Sequence, residues 1–261
     1  NNNVVISKNA IDSIKNWGAS NIGVGAGTNI SLKDALYSVM LPSACEVSVA
    51  VAEYVSGNET TFSDRMNQKA KDLGAYNTQF KNSHGLPDDN HYTTAYDMAL
   101  IAREAFKYDL FTEIISTETY YFSTNSSKKV KNLHEMISSS SDYYYENVVG
   151  GKTGYTNAAR HTVVTYAQLE GKTLIAVVMK TPKNVIYTDT RKLFDFGFNK
   201  CFVKEFFTKE ELTEVIAQQE ILVYRTNDKG YVFREFSEGK VEDGFRKYVS
   251  SDTEYSDLTY K

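Results

Sequence analysis

The segment Gly150-Gly151-Lys152-Thr153-Gly154-Tyr155-Thr156 lies directly before two β-rich runs, and together these residues decide the fold class of the chain. The runs extend from His161 to Gln168 and from Lys172 to Lys180. Their connector, Leu169-Glu170-Gly171, predicts a hairpin because glycine supplies the backbone freedom that a tight turn requires. The stretch from Leu174 to Met179 is apolar at every position, which is typical of a central strand covered on both faces.

Helix signals fill most of the chain before this hairpin. Ser31 and Asp34 have the spacing of a capping box and predict a helix start. The run from Glu46 to Ser56 is apolar at nearly every position, which predicts a helix buried on most sides that ends at Gly57. A helix after the hairpin should stop at Gly197. Further helices are predicted at Ser7–Lys15, Thr60–Leu73, Thr94–Phe106 and, after the hairpin, Thr188–Phe196.

The chain of 261 residues is long enough for one large domain or two modest ones. The pattern of residues along the sequence changes after Cys201. Residues 203–216 read as helical, and short strands are predicted within residues 220–249. We therefore predict a main domain over residues 1–200 and a small β-containing appendage over residues 201–261.

Composition excludes several classes of function. The net charge of −4 provides no basic surface that would attract a phosphate backbone, so nucleic acid is excluded as a partner. The longest apolar run has six residues, far below the roughly 20 that a membrane-spanning helix needs. The four histidines are scattered and the two cysteines form no zinc-binding pattern, so no metal site is expected.

Two short segments carry side chains that can take part in binding or catalysis. The Lys152-Thr153-Gly154 triplet offers an ammonium, a hydroxyl donor and a glycine that lets a ligand approach the backbone. The second segment, Leu41-Pro42-Ser43-Ala44-Cys45-Glu46, lies between two predicted helices. Penicillin-recognising serine enzymes combine a Lys-Thr-Gly strand with a Ser-x-Asn loop and a Ser-x-x-Lys nucleophile motif. Either triplet alone also arises by chance or in a tight turn.

A continuous similarity connects these segments. The matching stretches, in chain order, are Asp34–Ser43, Met66–Gly74, Asn82–Leu86, His91–Asp97 and Gly151–Thr156. Their order resembles the serine D-alanyl-D-alanine carboxypeptidases, the low-molecular-mass penicillin-binding proteins, over about residues 4–200. The resemblance implies a mixed α/β fold of the β-lactamase type, with an antiparallel sheet flanked by helices.

The resemblance also implies a function. The expected reaction removes the terminal D-alanine from peptidoglycan stem peptides through a serine acyl-enzyme, and β-lactam antibiotics are expected ligands. Ser43 would relay a proton to the leaving amine, Lys152 and Thr153 would hold the substrate carboxylate, and Gly154 would admit the substrate. No metal or organic cofactor is implied. The implied location is extracytoplasmic, facing the cell wall, either secreted or anchored to the membrane.

The sequence departs from the family pattern in three places. The only Ser-x-x-Lys matches, Ser126 to Lys129 and Ser237 to Lys240, stand in a polar loop and in the appendage, and we interpret both as coincidences. Cys45 replaces the usual asparagine of the second motif, and a thiol is a much poorer hydrogen-bond partner than an amide. Arg160 either assists carboxylate binding or is a solvated charge. Cys45, in turn, either faces the cleft or is a small core residue.

The missing nucleophile leaves three interpretations. We expect the Ser-x-x-Lys segment to belong to the native protein upstream of Val4, as part of the same chain or as a bound N-terminal fragment. A non-catalytic binder of wall peptides is the first alternative, favoured by Cys45 and by the absent motif. A β-lactamase is the second alternative, and the stretch from Asn82 to Leu86 argues against it.

Overall fold

The computed structural model describes residues 2–200, 220–225 and 231–236, and the side chains of residues 2–199. The upstream elements are β1 (Asn3–Val5), α1 (Lys8–Ile14), β2 (Asn29–Ser31), α2 (Leu32–Met40), α3 (Cys45–Ser56), α4 (Glu59–Asp72), α5 (Ala95–Ala105), α6 (Asp109–Ser116), β3 (Thr119–Tyr121) and β4 (Lys129–Lys131). After a short 3-10 turn at Glu135–Ile137 come β5 (Val148–Thr156), β6 (Arg160–Leu169), β7 (Lys172–Thr181), α7 (Lys183–Lys200), β8 (Glu220–Arg225) and β9 (Tyr231–Phe236).

One sheet of five strands, in the order β5-β6-β7-β8-β9, carries the Lys-Thr-Gly segment at one edge. Its pairs are antiparallel except for β7 and β8, which are parallel. The predicted hairpin is confirmed as β6 and β7. Its turn residues, Glu170 and Gly171, have φ angles of 50° and 78°, which is the conformation that matches the twist of a two-residue hairpin.

Strand β7 is apolar from Leu174 to Met179 because helices cover both faces of the sheet. On one face Leu174 and Ala176 pack with Phe194 of α7. On the other face Ile175 and Val177 pack with residues of α5. Alternate residues of a strand point to opposite faces, so a doubly covered strand needs an uninterrupted apolar run.

A third core unites the upstream helices with two small hairpins. Val4 and Ile6 at β1 pack with Ala35 of α2 and Val47 of α3, and all four are fully buried. Helix α3 is buried along most of its length, as predicted, and it ends at Gly57, whose φ of 79° is left-handed. This core includes Leu41 and Ala44, which lie on either side of Ser43 in the loop between α2 and α3.

The predicted end of the last helix at Gly197 is wrong, because α7 continues through this glycine to Lys200. A Cβ atom at Gly197 would lie 2.6 Å from Cδ1 of Leu174. Glycine is therefore required for close packing of α7 on β7 and not for a helix stop. No helix in the described ranges has the length and apolar character needed to cross a membrane.

The sequence analysis did not predict α6, the β1–β2 pair or the β3–β4 hairpin. The helix predicted at residues 203–216 lies outside the described residues. Strands β8 and β9 fall within the region where short strands were predicted, and they continue the main sheet. The division of the chain at residue 200 stays a prediction.

Candidate functional site

The site is formed where the loop between α2 and α3 meets the edge strand β5. Nζ of Lys152 donates hydrogen bonds to Oγ of Ser43 and, at 2.7 Å, to the carbonyl oxygen of Thr153. The two side chains are 109 residues apart in the sequence, so only the fold brings them together. A hydroxyl and an ammonium in direct contact can bind an anion and transfer a proton.

Ser43 adopts a backbone conformation that side chains rarely take. Its φ is 61°, in the left-handed region, where a non-glycine residue is strained. The next residue is fixed on both sides, because the Ala44 amide donates to the Ser38 carbonyl at 3.0 Å and Ala44 precedes the first turn of α3. These constraints hold the Ser43 hydroxyl toward β5.

Lys152 is charged less readily than an ordinary lysine. Burial lowers the pKa of its ammonium to about 8, against a smaller opposing effect of the Cys45 thiol. The lysine therefore remains mostly protonated at neutral pH. An anion bound next to the ammonium would offset the unfavourable free energy of burying its charge.

The outer edge of β5 offers unpaired backbone groups to a ligand. Among the described strands, β5 pairs with β6 alone. The Gly154 carbonyl accepts a hydrogen bond from the Thr162 hydroxyl of β6, whereas the Thr153 carbonyl faces Lys152. Because neighbouring residues of a strand alternate in direction, the amide of Tyr155 shares the outer edge with the carbonyl of Thr153. A Cβ atom at Gly154 would lie 2.7 Å from Oγ1 of Thr162, which explains the glycine.

The model of the D-alanyl-D-alanine carboxypeptidase family matches residues 1–183. The chain belongs to this family. A carboxypeptidase of Bacillus subtilis (DacF) is 37% identical over 187 residues, which are 70% of this chain and 46% of the relative. A carboxypeptidase of Streptomyces sp. strain K15 is 30% identical over 186 residues, or 66% of this chain and 62% of the relative. The chain thus spans about half to three-fifths of the length of these relatives.

Solved structures of the family share the fold. The superposition on the crystal structure of the Streptomyces K15 DD-transpeptidase covers 75% of this chain and 78% of the transpeptidase chain, with a TM-score of 0.67 and 28% identity. The superposition on the crystal structure of a D-alanyl-D-alanine carboxypeptidase of Mycobacterium tuberculosis covers 76% of this chain and 74% of that carboxypeptidase, with a TM-score of 0.65 and 26% identity. The mixed α/β fold of the penicillin-binding proteins that the sequence predicted is confirmed.

Cys45 is a buried core residue that also contacts the site. Only 7% of it is exposed, and its Sγ donates a long hydrogen bond of 3.6 Å to the Ser43 carbonyl. Burial, assisted by the neighbouring Glu46 carboxylate, raises the pKa of the thiol to about 11. The thiol is therefore not a nucleophile at neutral pH. The similar structures include variants of the Streptomyces K15 DD-transpeptidase in which a serine, or a cysteine two positions after it, is replaced. Ser43 and Cys45 have the same spacing.

The other predicted residues lie at the ends of the β5–β6 hairpin or away from it. Arg160 is exposed, has a φ of 58° and pairs with Thr156, four residues or about 13 Å along the strand from Lys152. Its role in carboxylate binding stays a prediction. Ser126 is an exposed residue of the turn between β3 and β4. Ser237 and Lys240 lie outside the described residues.

His134 belongs to none of the motifs recognised in the sequence, but the structure shows a hydrogen-bond partner for it. The imidazole is 1% exposed, and its Nε2 lies 2.8 Å from Oγ1 of Thr165. A Cβ atom at Gly151 would lie 2.7 Å from the ring. The signal available in the sequence was the pair Gly150-Gly151 before Lys152, because two adjacent glycines in a strand indicate close approach of another group.

Proposed function

We propose that this chain is the substrate-positioning part of a serine-type D-alanyl-D-alanine carboxypeptidase, which removes the terminal D-alanine of peptidoglycan stem peptides and binds penicillin. The contact between Ser43 and Lys152 at the open edge of β5 carries the proposal. Family membership supports it, because the related proteins bear the name of this activity.

Lys152 and Thr153 fit the terminal carboxylate of the substrate. Penicillins also carry a carboxylate, so the peptide and the antibiotic would both pair with the Lys152 ammonium. A hydrogen bond between charged groups contributes about 1.5–3 kcal/mol, and more where water is excluded. The lowered pKa of Lys152, about 8, predicts that carboxylate binding weakens as the pH rises through that value.

The free edge of β5 fits the peptide backbone next to that carboxylate. An extended peptide can add to an edge strand and exchange backbone hydrogen bonds with it. The outward carbonyl of Thr153 and the outward amide of Tyr155 would then align the scissile bond. This arrangement selects an extended chain end.

Ser43 is suited to deliver a proton. Because Lys152 donates to its Oγ, the hydroxyl hydrogen of Ser43 is free for another acceptor. In the proposed reaction, a serine of a Ser-x-x-Lys motif attacks the carbonyl carbon and gives its proton to the motif lysine. The C–N bond then breaks, the leaving amine of D-alanine takes a proton through Ser43, and water hydrolyses the acyl-enzyme ester.

Neither candidate nucleophile among the described residues fits the attacking serine. Ser126 is exposed in a turn, and the buried thiol of Cys45 has a raised pKa. We propose that a Ser-x-x-Lys segment of the native protein completes the site, on the same chain or as a bound fragment. A peptidoglycan substrate further implies an extracytoplasmic protein.

The lysine can be tested in the intact product of the natural gene. We expect Lys152→Met to reduce acylation by a fluorescent penicillin at least 100-fold, because the variant cannot pair with the ligand carboxylate. Lys131→Met, at an exposed position of β4, is the matched control and should react like the parent. Acylation of Lys152→Met at the parental rate would contradict the proposal.

The same assay separates the alternatives. A carboxypeptidase releases D-alanine from a peptide that ends in D-alanyl-D-alanine and keeps the penicillin adduct for long periods. A β-lactamase turns penicillin over rapidly, and a non-catalytic binder forms no adduct at all. Mass spectrometry of the protein after incubation with penicillin distinguishes the three outcomes.

A further inference from the structure

His134 lies between the two segments that form the candidate site. Its imidazole packs against Gly151, the residue directly before Lys152, on the face of β5 opposite to the lysine. The backbone amide of the preceding residue, Leu133, donates a hydrogen bond of 3.3 Å to the carbonyl of Leu41, two residues before Ser43. One short segment therefore touches both the strand of Lys152 and the loop of Ser43.

The imidazole itself is held from several sides. Its Nε2 lies 2.8 Å from Oγ1 of Thr165, the residue directly opposite Gly151 in the β5–β6 register. The ring of Tyr187 meets it edge-on with 5.7 Å between the ring centres. The Tyr187 hydroxyl donates to the Leu133 carbonyl and accepts from the Glu135 amide, at 3.2 and 3.1 Å. Backbone and ring are thus fixed together.

We propose that His134 is a positioning residue that sets the separation between Ser43 and Lys152. Gly151 has no side chain, so the imidazole bears directly on the backbone of β5 one residue from the lysine. Any loss of ring volume would let β5 relax toward this face and draw Lys152 away from Ser43. The inference rests on the proposed function only insofar as that contact serves catalysis.

The charge state of His134 is consistent with a fixed support. Burial lowers the pKa of the imidazole to about 3, so the ring is neutral at any working pH. Its Nδ1 has no hydrogen-bond partner among the described residues. The tautomer with a proton on Nε2 fits this arrangement, because a buried acceptor without a partner costs less than a buried donor. A neutral ring adds no charge next to the Lys152 ammonium.

The protonation constant of Lys152, the equilibrium constant for proton binding to its amine, reports whether the ammonium keeps its buried position beside Ser43. It can be followed by NMR in the 261-residue chain labelled with [ε-13C]lysine, with Lys152→Met identifying the signal. We expect His134→Ala to raise the protonation constant of Lys152 at least tenfold, because a displaced ammonium becomes better hydrated. Cys45, the other titratable side chain that acts on the lysine, is unchanged in this variant.

Met136→Ala is the matched control. Met136 is fully buried two residues further on, so its truncation removes a similar volume and destabilises the same region. A merely structural role for His134 predicts equal effects of both variants on Lys152, and that result would overturn the proposal. We expect less than a twofold change in the control. His134→Gln can still donate to Thr165 and should restore most of the parental value.

Two further measurements keep the inference decidable. If His134→Ala does not fold, Thr165→Val removes the partner of the ring and should raise the constant at least threefold. An unchanged constant in a folded Thr165→Val protein would then contradict the proposal. Penicillin acylation of the intact natural protein tests the function separately. A shifted Lys152 in a protein that penicillin never acylates would support the positioning role and refute the carboxypeptidase.

Discussion

Lys152 carries a cost in stability that its proposed role explains. Burial disfavours the protonated amine, and a pKa that falls from 10.5 to about 8 corresponds to about 3 kcal/mol against the charged folded state. We expect Lys152→Met to raise the free energy of unfolding by about 1–2 kcal/mol at pH 7, because methionine removes the buried charge and keeps most of the volume. The loss of the hydrogen bonds to Ser43 and Thr153 offsets the rest of the gain. Such a gain at the expense of binding is typical of functional residues.

The sign of the pH dependence follows from the depressed pKa. Between pH 8 and 10.5 the folded state binds fewer protons than the unfolded state at this site, so the parent gains stability as the pH rises. The advantage of Lys152→Met should be constant below about pH 8 and should shrink toward pH 10.5. Urea unfolding of both proteins at pH 7 and pH 10 measures this change. An advantage that grows with pH would show that the lysine is not penalised by burial.

At the scale of elements, the buried carboxylate of Asp34 fastens the β3–β4 hairpin to α2. The side chain is fully buried and accepts hydrogen bonds from the hydroxyls of Tyr120 and Thr124 and from the amide of Ser123, at 2.7–2.8 Å. Burial alone would raise its pKa, but these bonds outweigh burial and lower the pKa to about 2. An aspartate in the first turn of a helix serves here as a long-range anchor.

Replacement of this anchor should destabilise the protein in a pH-dependent way. We expect Asp34→Asn to lower the free energy of unfolding by about 2–3 kcal/mol at pH 7, because the amide nitrogen of asparagine would face hydrogen-bond donors that now bind the carboxylate. The folded pKa lies below the unfolded value of 3.8, so the contribution is complete above about pH 5 and is lost as the pH falls toward 2. Urea unfolding at pH 7 and pH 3 checks this. The exposed Asp64→Asn is the control and should cost little at either pH.

Elements with local signals were predictable, and elements that depend on distant partners were not. Ser31 does cap α2, since its hydroxyl accepts from the amide of Asp34 at 3.0 Å. The carboxylate of Asp34 is held mainly by the β3–β4 hairpin, through Tyr120, Ser123 and Thr124. Gly57 and Gly197 look alike in the sequence, yet the first ends a helix and the second admits the side chain of Leu174. Only the packed fold separates the two meanings.

The site follows the same rule. Ser43 and Lys152 were predicted from motifs, and the structure brings them into contact, while their catalytic roles stay predictions. His134 was missed because its partners, Gly151 and Thr165, lie in two other segments. A lone buried histidine has no sequence pattern. Its position becomes meaningful only when the strand register is known.

At the scale of the whole molecule, the sheet connects the upstream helices to the last described strands. β7 pairs with β6 on one side and with β8 on the other, in register from Thr173 with Glu220 to Val177 with Tyr224. β7 is thus interior in the sheet although the proposed domain boundary falls between it and β8. The boundary at residue 200 and the continuity of the sheet make opposite predictions about a shortened chain.

Two shortened chains decide between these predictions. A chain of residues 1–236 keeps β8 and β9, whereas a chain of residues 1–200 loses both and leaves the β7 edge open from Thr173 to Val177. An open, apolar edge strand promotes association with other chains, and its unpaired backbone groups lose their hydrogen bonds. We expect the 1–200 chain to melt at least about 6 °C below the 1–236 chain, which corresponds to a loss of roughly 2–3 kcal/mol for a protein of this size. We also expect it to form aggregates in analytical ultracentrifugation. If both chains instead melt together as monomers, β8 and β9 add nothing to the sheet, and residues 1–200 form a self-sufficient domain.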